Sequence, residues 1–356
     1  MIFRTKLILF YLTVSINIFT QNLEWKAGLN YFFDNTEYEK STLTQDQTMN
    51  GVHLSPELGM SWDTAHAIFG GIDALKISGT NSFVDKIDLI AYYQYSSPYI
   101  HFQAGAFPRA NLLSNYSDFF YQDSVLNFRP IMQGFFVRAG NNKAFYSLWL
   151  DWINHQTTTE REAFYVGASA HKSFGYLFAD FESYIFHYAN VNPSNPLYHV
   201  CDNGLAHLSF GTSYANKQGL DTLLFAVGVL AGFERDRGLG DAGNIPLGAV
   251  VRLNVEYRGL GLKNTLYLGN PRLVMYNKYG GNLYWSNPFL RSGSYLQTKL
   301  YLTVHKSQWL QSKVGVNLHF SEKKLFFEQT FSVVVSLNSL TKSKGESISV
   351  FKYIQN

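Results

Sequence analysis

The chain has 356 residues, 46% hydrophobic and 17% aromatic but only 15% charged, with a formal net charge of +3 and one cysteine. So small a charge does not argue for nucleic acid as a partner, and the lone Cys201 excludes an internal disulfide. Past the first residues no segment carries the ~20 consecutive apolar residues of a membrane helix, so the high aromatic content points to a membrane β-barrel, in which alternation dilutes the apolar residues.

Arg4 and Lys6 precede a short apolar run, Leu7 to Phe19. That run is too short for a span and suits a cleaved secretory signal, expected over residues 1–20. From Leu23 the chain alternates: Leu23, Trp25, Ala27, Leu29, Tyr31 and Phe33 share one parity, with Glu24, Lys26, Asn30 and Asp34 on the other. Period 2 places the two sets on opposite faces of a strand. The pattern recurs from Asn50 to Trp62, where Pro56 removes a ladder donor and predicts a bulge. It recurs again at 86–95, 99–107, 132–139, 144–152, 164–170 and 177–185. Val227 and Val229, then Val251 and Leu253, lie in the cleanest apolar stripes. Later strands are expected near 262–269, 295–305, 310–320 and 325–337.

The connections alternate in length. Those at 35–48, 75–83, 108–130, 153–162, 188–203, 235–244 and 270–293 are long, though the last on that side, Ser321–Lys324, is short; those at 63–65, 96–98, 140–143, 216–220, 259–261 and 306–308 are short. A bacterial barrel has this asymmetry, with long external loops and short periplasmic turns. The fold class is therefore all-β, a transmembrane antiparallel up-and-down barrel of about 16 strands in the bacterial outer membrane. Residues 21–340 form it, and 341–356 are a tail or its closing strand.

Few motifs carry chemistry. Gly238-Leu-Gly240-Asp-Ala-Gly243 has dinucleotide-loop spacing but is followed by a strand, not a helix, so it reads as a surface loop. His207-Leu-Ser209 puts a His and a Ser on one strand face. Such a pair occurs in outer-membrane phospholipases, but here it turns inward without an evident third group, so it reads as pore wall and Ser209→Ala is expected to leave any activity intact. The histidines lack metal spacing, and neither metal nor cofactor is expected.

Inward charges segregate. The earlier strands supply Glu57, Asp88, Asp151, Asp180, Glu182 and Glu234, with Lys86 and Arg138 as exceptions; the later ones supply Arg252, Arg258, Lys263, Lys299 and Lys313, with Glu256 and Glu328 as exceptions. Because neighbours in a meander are neighbours in the wall, the five later cations predict a basic pore wall. The third long connection, Pro108 to Pro130, is expected to fold inward as a constriction bearing Arg109, Asp118 and Asp123, with Arg138 on the next strand. The aromatic-rich loops around Phe119 and Trp285 are expected to pack on each other.

This layout resembles general bacterial porins, whose third external loop bends into the barrel. The segments Ala106-Phe-Pro-Arg109 and Leu283-Tyr-Trp-Ser-Asn-Pro-Phe-Leu-Arg291 are similar to porin-like outer-membrane barrels of Bacteroidetes. The resemblance implies a location and no catalytic residues. The expectation is a porin-like channel, not an enzyme, for passive diffusion of small polar solutes, set among outer-membrane lipid and lipopolysaccharide. The alternatives are a barrel enzyme acting on lipid, peptide or lipopolysaccharide, and a plugged binding or assembly barrel.

Overall fold

The computed structural model describes residues 21–113, 116–217, 220–240, 243–339 and 348–349. The expected signal segment and most of the tail lie outside the described residues. Sixteen antiparallel strands run in order: β1 (Asn22–Glu37), β2 (Gln47–Trp62), β3 (His66–Ile77), β4 (Lys86–Ser96), β5 (Ile100–Pro108), β6 (Ile131–Asn141), β7 (Ala144–Asn154) and β8 (Ala163–Phe174). Then follow β9 (Leu177–Tyr188), β10 (Cys201–Lys217), β11 (Leu220–Asp236), β12 (Leu247–Tyr257), β13 (Leu260–Gly269), β14 (Ser294–Lys306), β15 (Leu310–Ser321) and β16 (Lys324–Asn338). Each pairs with the next, and β16 pairs back onto β1 from Lys26↔Asn338 to Glu37↔Phe327. The sheet is thereby a closed barrel without a free edge, the arrangement a strand-built membrane protein requires. Of the tail, Ile348–Ser349 pairs with Lys306 and His305, outside the ring of sixteen.

The alternation in sequence sets the two faces. Val227 and Val229 are 46% and 55% exposed on the outer wall, while Ala226 and Leu230, flanking them on either side, are 1% and 0% exposed. Trp309 and Tyr257 stand exposed at the short-turn end, where an interfacial girdle belongs. Two details depart from expectation. Pro56 produces no bulge: the β2–β3 register is the same at Leu54↔Ala74 and Glu57↔Gly71, with only the pairs between them missing. Arg258 is not a wall residue. It is exposed in the turn between β12 and β13, with φ +50°, and its guanidinium stacks 5.1 Å from the Tyr257 ring centre.

Candidate functional site

The third long connection enters the barrel and fills much of it. It carries two short helices, α1 (Ala110–Leu113) and α2 (Asp123–Phe128). Leu112, Tyr116, Phe119, Phe120, Tyr121 and Val125 are all buried. They pack with Trp149, Tyr165, Tyr184 and Phe186 of the wall and with Leu283, Tyr284, Trp285 and Phe289 of the connection between β13 and β14. The two aromatic-rich loops are joined directly, by Gln122 N–H to the Trp285 carbonyl at 2.8 Å and Asn287 N–H to the Phe119 carbonyl at 3.3 Å. Each fully buried large side chain adds roughly 1.5–3 kcal/mol, so this inner core holds the loop as firmly as a soluble core would. The loop is therefore a packed filling rather than a thin constriction.

Arg109 fixes its base. The side chain is 2% exposed, donates to the carbonyls of Arg129 and Ile131, pairs with Asp151 at 2.5 Å and stacks 5.1 Å from Trp285. It anchors the loop and lines none of the cavities described below. Arg138 stacks 4.0 Å from Phe145, on the β7 strand that follows the short β6–β7 turn, and lines neither of the two cavities described next.

That space lies between the loop and the wall formed by β1 and β13–β16. An outer cavity of about 80 Å³ is reached beside Thr44, Gln45 and Pro288 of the external loops. An inner one of about 380 Å³ is lined by Lys263, Lys313 and Tyr301, among others. Asp34, Asp118, Asp123 and Lys299 line both, and so form the neck between them. Of the cations expected on the wall, Lys263 lies 3.3 Å from Asp118, and Lys299 lies 4.0 Å from Asp118 and 3.8 Å from Asp123. Lys313 stands 5.1 Å from the Tyr301 ring. Arg252 belongs to another place, described below.

At the neck, one carboxylate oxygen from each of Asp34, Asp123 and Glu328 comes within 4.8 Å of the others. Glu328 is held by Asn317 at 2.7 Å and by His319 Nε2 at 3.1 Å, and the Tyr295 hydroxyl meets His319 Nδ1 at 2.7 Å. Asp34 is 3% exposed, and its Oδ1 is buried without a hydrogen-bond partner. An unsatisfied buried acceptor beside two further carboxylates is costly unless something occupies the space. Three oxygen donors of this kind suit a hard divalent cation such as Ca²⁺. No metal centre is legible in the sequence because its members are 89 and 205 residues apart in the chain, and only barrel closure and the inserted loop join them.

A second group sits deeper. His207 and Ser209 are fully buried and face inward, as expected. The third group judged missing is present: Glu182 of β9 is opposite His207 in register, with Oε2 3.4 Å from His207 Nδ1. Arg252 donates to Ser209 Oγ at 3.1 Å and to Ser117 Oγ of the loop at 2.5 Å.

Comparison with known proteins adds the following. A family model described as Lipid A 3'-O-deacylase-type matches residues 19–344. No curated protein matches the chain. Among solved structures the chain is similar to the outer membrane protein OpdK of Pseudomonas aeruginosa, with TM-score 0.52 and 8% identity over 89% of this chain and 99% of that one. It is also similar to the anion-selective porin of Comamonas acidovorans, with TM-score 0.53 and 10% identity over 90% and 100%. The loop-deleted OmpT of Vibrio cholerae gives TM-score 0.53 and 9% identity over 89% and 99%. These likenesses establish the fold, a porin-type barrel of the bacterial outer membrane. The family match overturns the expectation that the chain is not an enzyme.

Proposed function

We propose, on the premise that this chain belongs to the Lipid A 3'-O-deacylase-type family, that it is an outer-membrane hydrolase removing an ester-linked acyl chain from a glycolipid of the lipid A kind at the neck carboxylates. The observation that carries the reading is Asp34, whose Oδ1 is buried and unpartnered beside Asp123 and Glu328, on a cavity reached from the external loops. Like charges this close repel, so the site is matched to a ligand that brings positive charge. A divalent cation held there would polarise the ester carbonyl.

Each chain residue has a role set by its contacts. With Asp123 and Glu328 as the carboxylates that would hold the cation, the unpartnered oxygen of Asp34 takes a proton from the attacking water. The bond between acyl carbon and sugar oxygen breaks, the acyl chain leaves as a carboxylic acid, and the sugar oxygen takes the proton. Lys299, 3.8 Å from Asp123, offers its charge to the oxyanion that develops on the carbonyl. His319 is a positioning residue, since both of its ring nitrogens are engaged, by Tyr295 and Glu328. The test is mass spectrometry of lipid A incubated with the refolded barrel and Ca²⁺. Loss of one acyl chain, abolished by Asp34→Asn, supports the reading; intact lipid A with a folded parent protein counts against it.

A second reading is favoured by one observation, that Asp34, Asp118, Asp123 and Lys299 line both the outer and the inner cavity. It is a passage for small polar solutes, in which opposed charges across a narrow section steer ions. Planar-bilayer recordings test it: Lys299→Gln should shift selectivity toward cations, and an insulating parent barrel would remove this reading.

A further inference from the structure

The buried row Glu182, His207 and Ser209 lies apart from the neck, on β9 and β10. We propose that it is a second, serine-dependent acyl-hydrolase site that takes small, uncharged, soluble acyl esters from the short-turn end of the barrel. The order of groups is the one nucleophilic catalysis needs. Glu182 Oε2 faces His207 Nδ1 at 3.4 Å. The other ring nitrogen leans over Gly228, the residue paired with Ser209 on β11. A Cβ at position 228 would stand 2.6 Å from His207 Nε2 and 2.8 Å from Ser209 Cβ, so the imidazole and the serine border the same space left by the glycine, without a hydrogen bond between them.

Three further facts point to a ligand rather than to packing. Nε2 of His207, the nitrogen turned away from Glu182, is buried without a hydrogen-bond partner, although the residue is fully enclosed. Arg252 donates to Ser209 Oγ at 3.1 Å, so the hydroxyl keeps its own proton for His207, and a guanidinium stands where an oxyanion would form. A cavity of about 260 Å³ adjoins the row, walled by Glu182, Arg252, Asp180 and Ser117, with Phe145 for an acyl chain and Asn142 of the β6–β7 turn at its mouth. Its size admits one short chain, and Asp180 and Glu182 disfavour an anion.

Ser209 is sealed by the inserted loop. Ser117 Oγ donates to Glu182 Oε1 at 2.9 Å and accepts from Arg252 at 2.5 Å, and the Phe119 ring stands edge-on to His207 at 5.2 Å between centres. Displacement of the Ser117 hydroxyl from Arg252 and Glu182, with the loop still packed, opens the row to the adjoining cavity. Ser209 Oγ then attacks the ester carbonyl while its proton passes to His207 Nε2. The ester C–O bond breaks, the leaving alcohol takes that proton, and water releases the acyl group as a carboxylic acid by the reverse sequence.

The refolded full chain should be treated with a fluorophosphonate probe and the adduct located by peptide mass spectrometry, with folding checked by heat-modifiable migration. The expected result is an adduct on Ser209, formed at least tenfold more slowly in His207→Ala and faster in Phe119→Ala. Hydrolysis of p-nitrophenyl butyrate should be lost in Ser209→Ala. An unlabelled Ser209 in both the parent and folded Phe119→Ala would overturn the proposal, and so would labelling that is indifferent to His207.

Discussion

The Arg109–Asp151 pair fixes the base of the inserted loop, and its removal has a calculable cost. Both side chains are essentially enclosed, 2% and 1% exposed, at 2.5 Å. Asp151→Ala leaves the guanidinium with the carbonyls of Arg129 and Ile131 but no counter-charge, and takes the acceptor from Gln133 N–H. Breaking a buried pair from one side costs about 3–5 kcal/mol, because a charge stays desolvated without a partner. An exposed pair would cost only ~0–1 kcal/mol. Arg109→Met combined with Asp151→Leu leaves no buried charge, so the double variant should be more stable than either single one. Denaturant titrations in detergent, followed by tryptophan emission, read both quantities, since Trp285 stacks on Arg109. A loss below about 1 kcal/mol for Asp151→Ala would mean that the loop base is hydrated, and the packed-loop description would fall with it.

Further expectations follow from other parts of the barrel. Spin labels at Val229 and Val251 should be shielded from aqueous quenchers relative to labels at Lys263 and Lys313, which line the inner cavity, and Val229→Arg should cost ~2–4 kcal/mol near the bilayer midplane; the reverse accessibility would invert the assigned faces. Gly167→Ala should destabilise by about 1–3 kcal/mol, because a Cβ there would stand 2.2 Å from Trp149, which fills the space against β8; an unchanged denaturation midpoint would contradict that contact. Tyr116→Phe removes the acceptor for Trp149 Nε1 at 2.7 Å and leaves that donor buried, at a cost of ~1–3 kcal/mol; an unchanged midpoint would show that water replaces the hydroxyl.

The wall was legible because its signal is local. Alternation at Val227 and Val229 needs only a few neighbouring residues to declare a face, and a short turn such as Gly140 to Lys143 declares itself by composition. The mutual packing of the Phe119 and Trp285 loops was likewise readable from their aromatic content. What escaped were juxtapositions made by closure. Asp34 and Glu328 lie near opposite ends of the chain, and the rule that sequence neighbours are wall neighbours fails where β16 meets β1: Thr36 pairs with Glu328, and Asp34 with Thr330. Glu328 therefore looked like an exception in a basic wall rather than part of an acidic cluster. Glu182 was on the page as an inward charge, yet its register with His207 depends on the length of a turn that composition does not fix. Most of the inward charges expected to line an open lumen are instead spent on the loops or on each other. Glu234, for example, accepts from Leu273 N–H, Val274 N–H and the Tyr284 hydroxyl.

The most direct test of the central claim is the fate of lipid A in the presence of the refolded barrel and Ca²⁺, measured by mass spectrometry for the parent protein, Asp34→Asn and Glu328→Gln. The account predicts release of one ester-linked acyl chain by the parent and at least a hundredfold loss of rate in Asp34→Asn, the order expected when a general base is removed, with Glu328→Gln also impaired. A folded parent that leaves lipid A intact, or an Asp34→Asn variant as active as the parent, would contradict it.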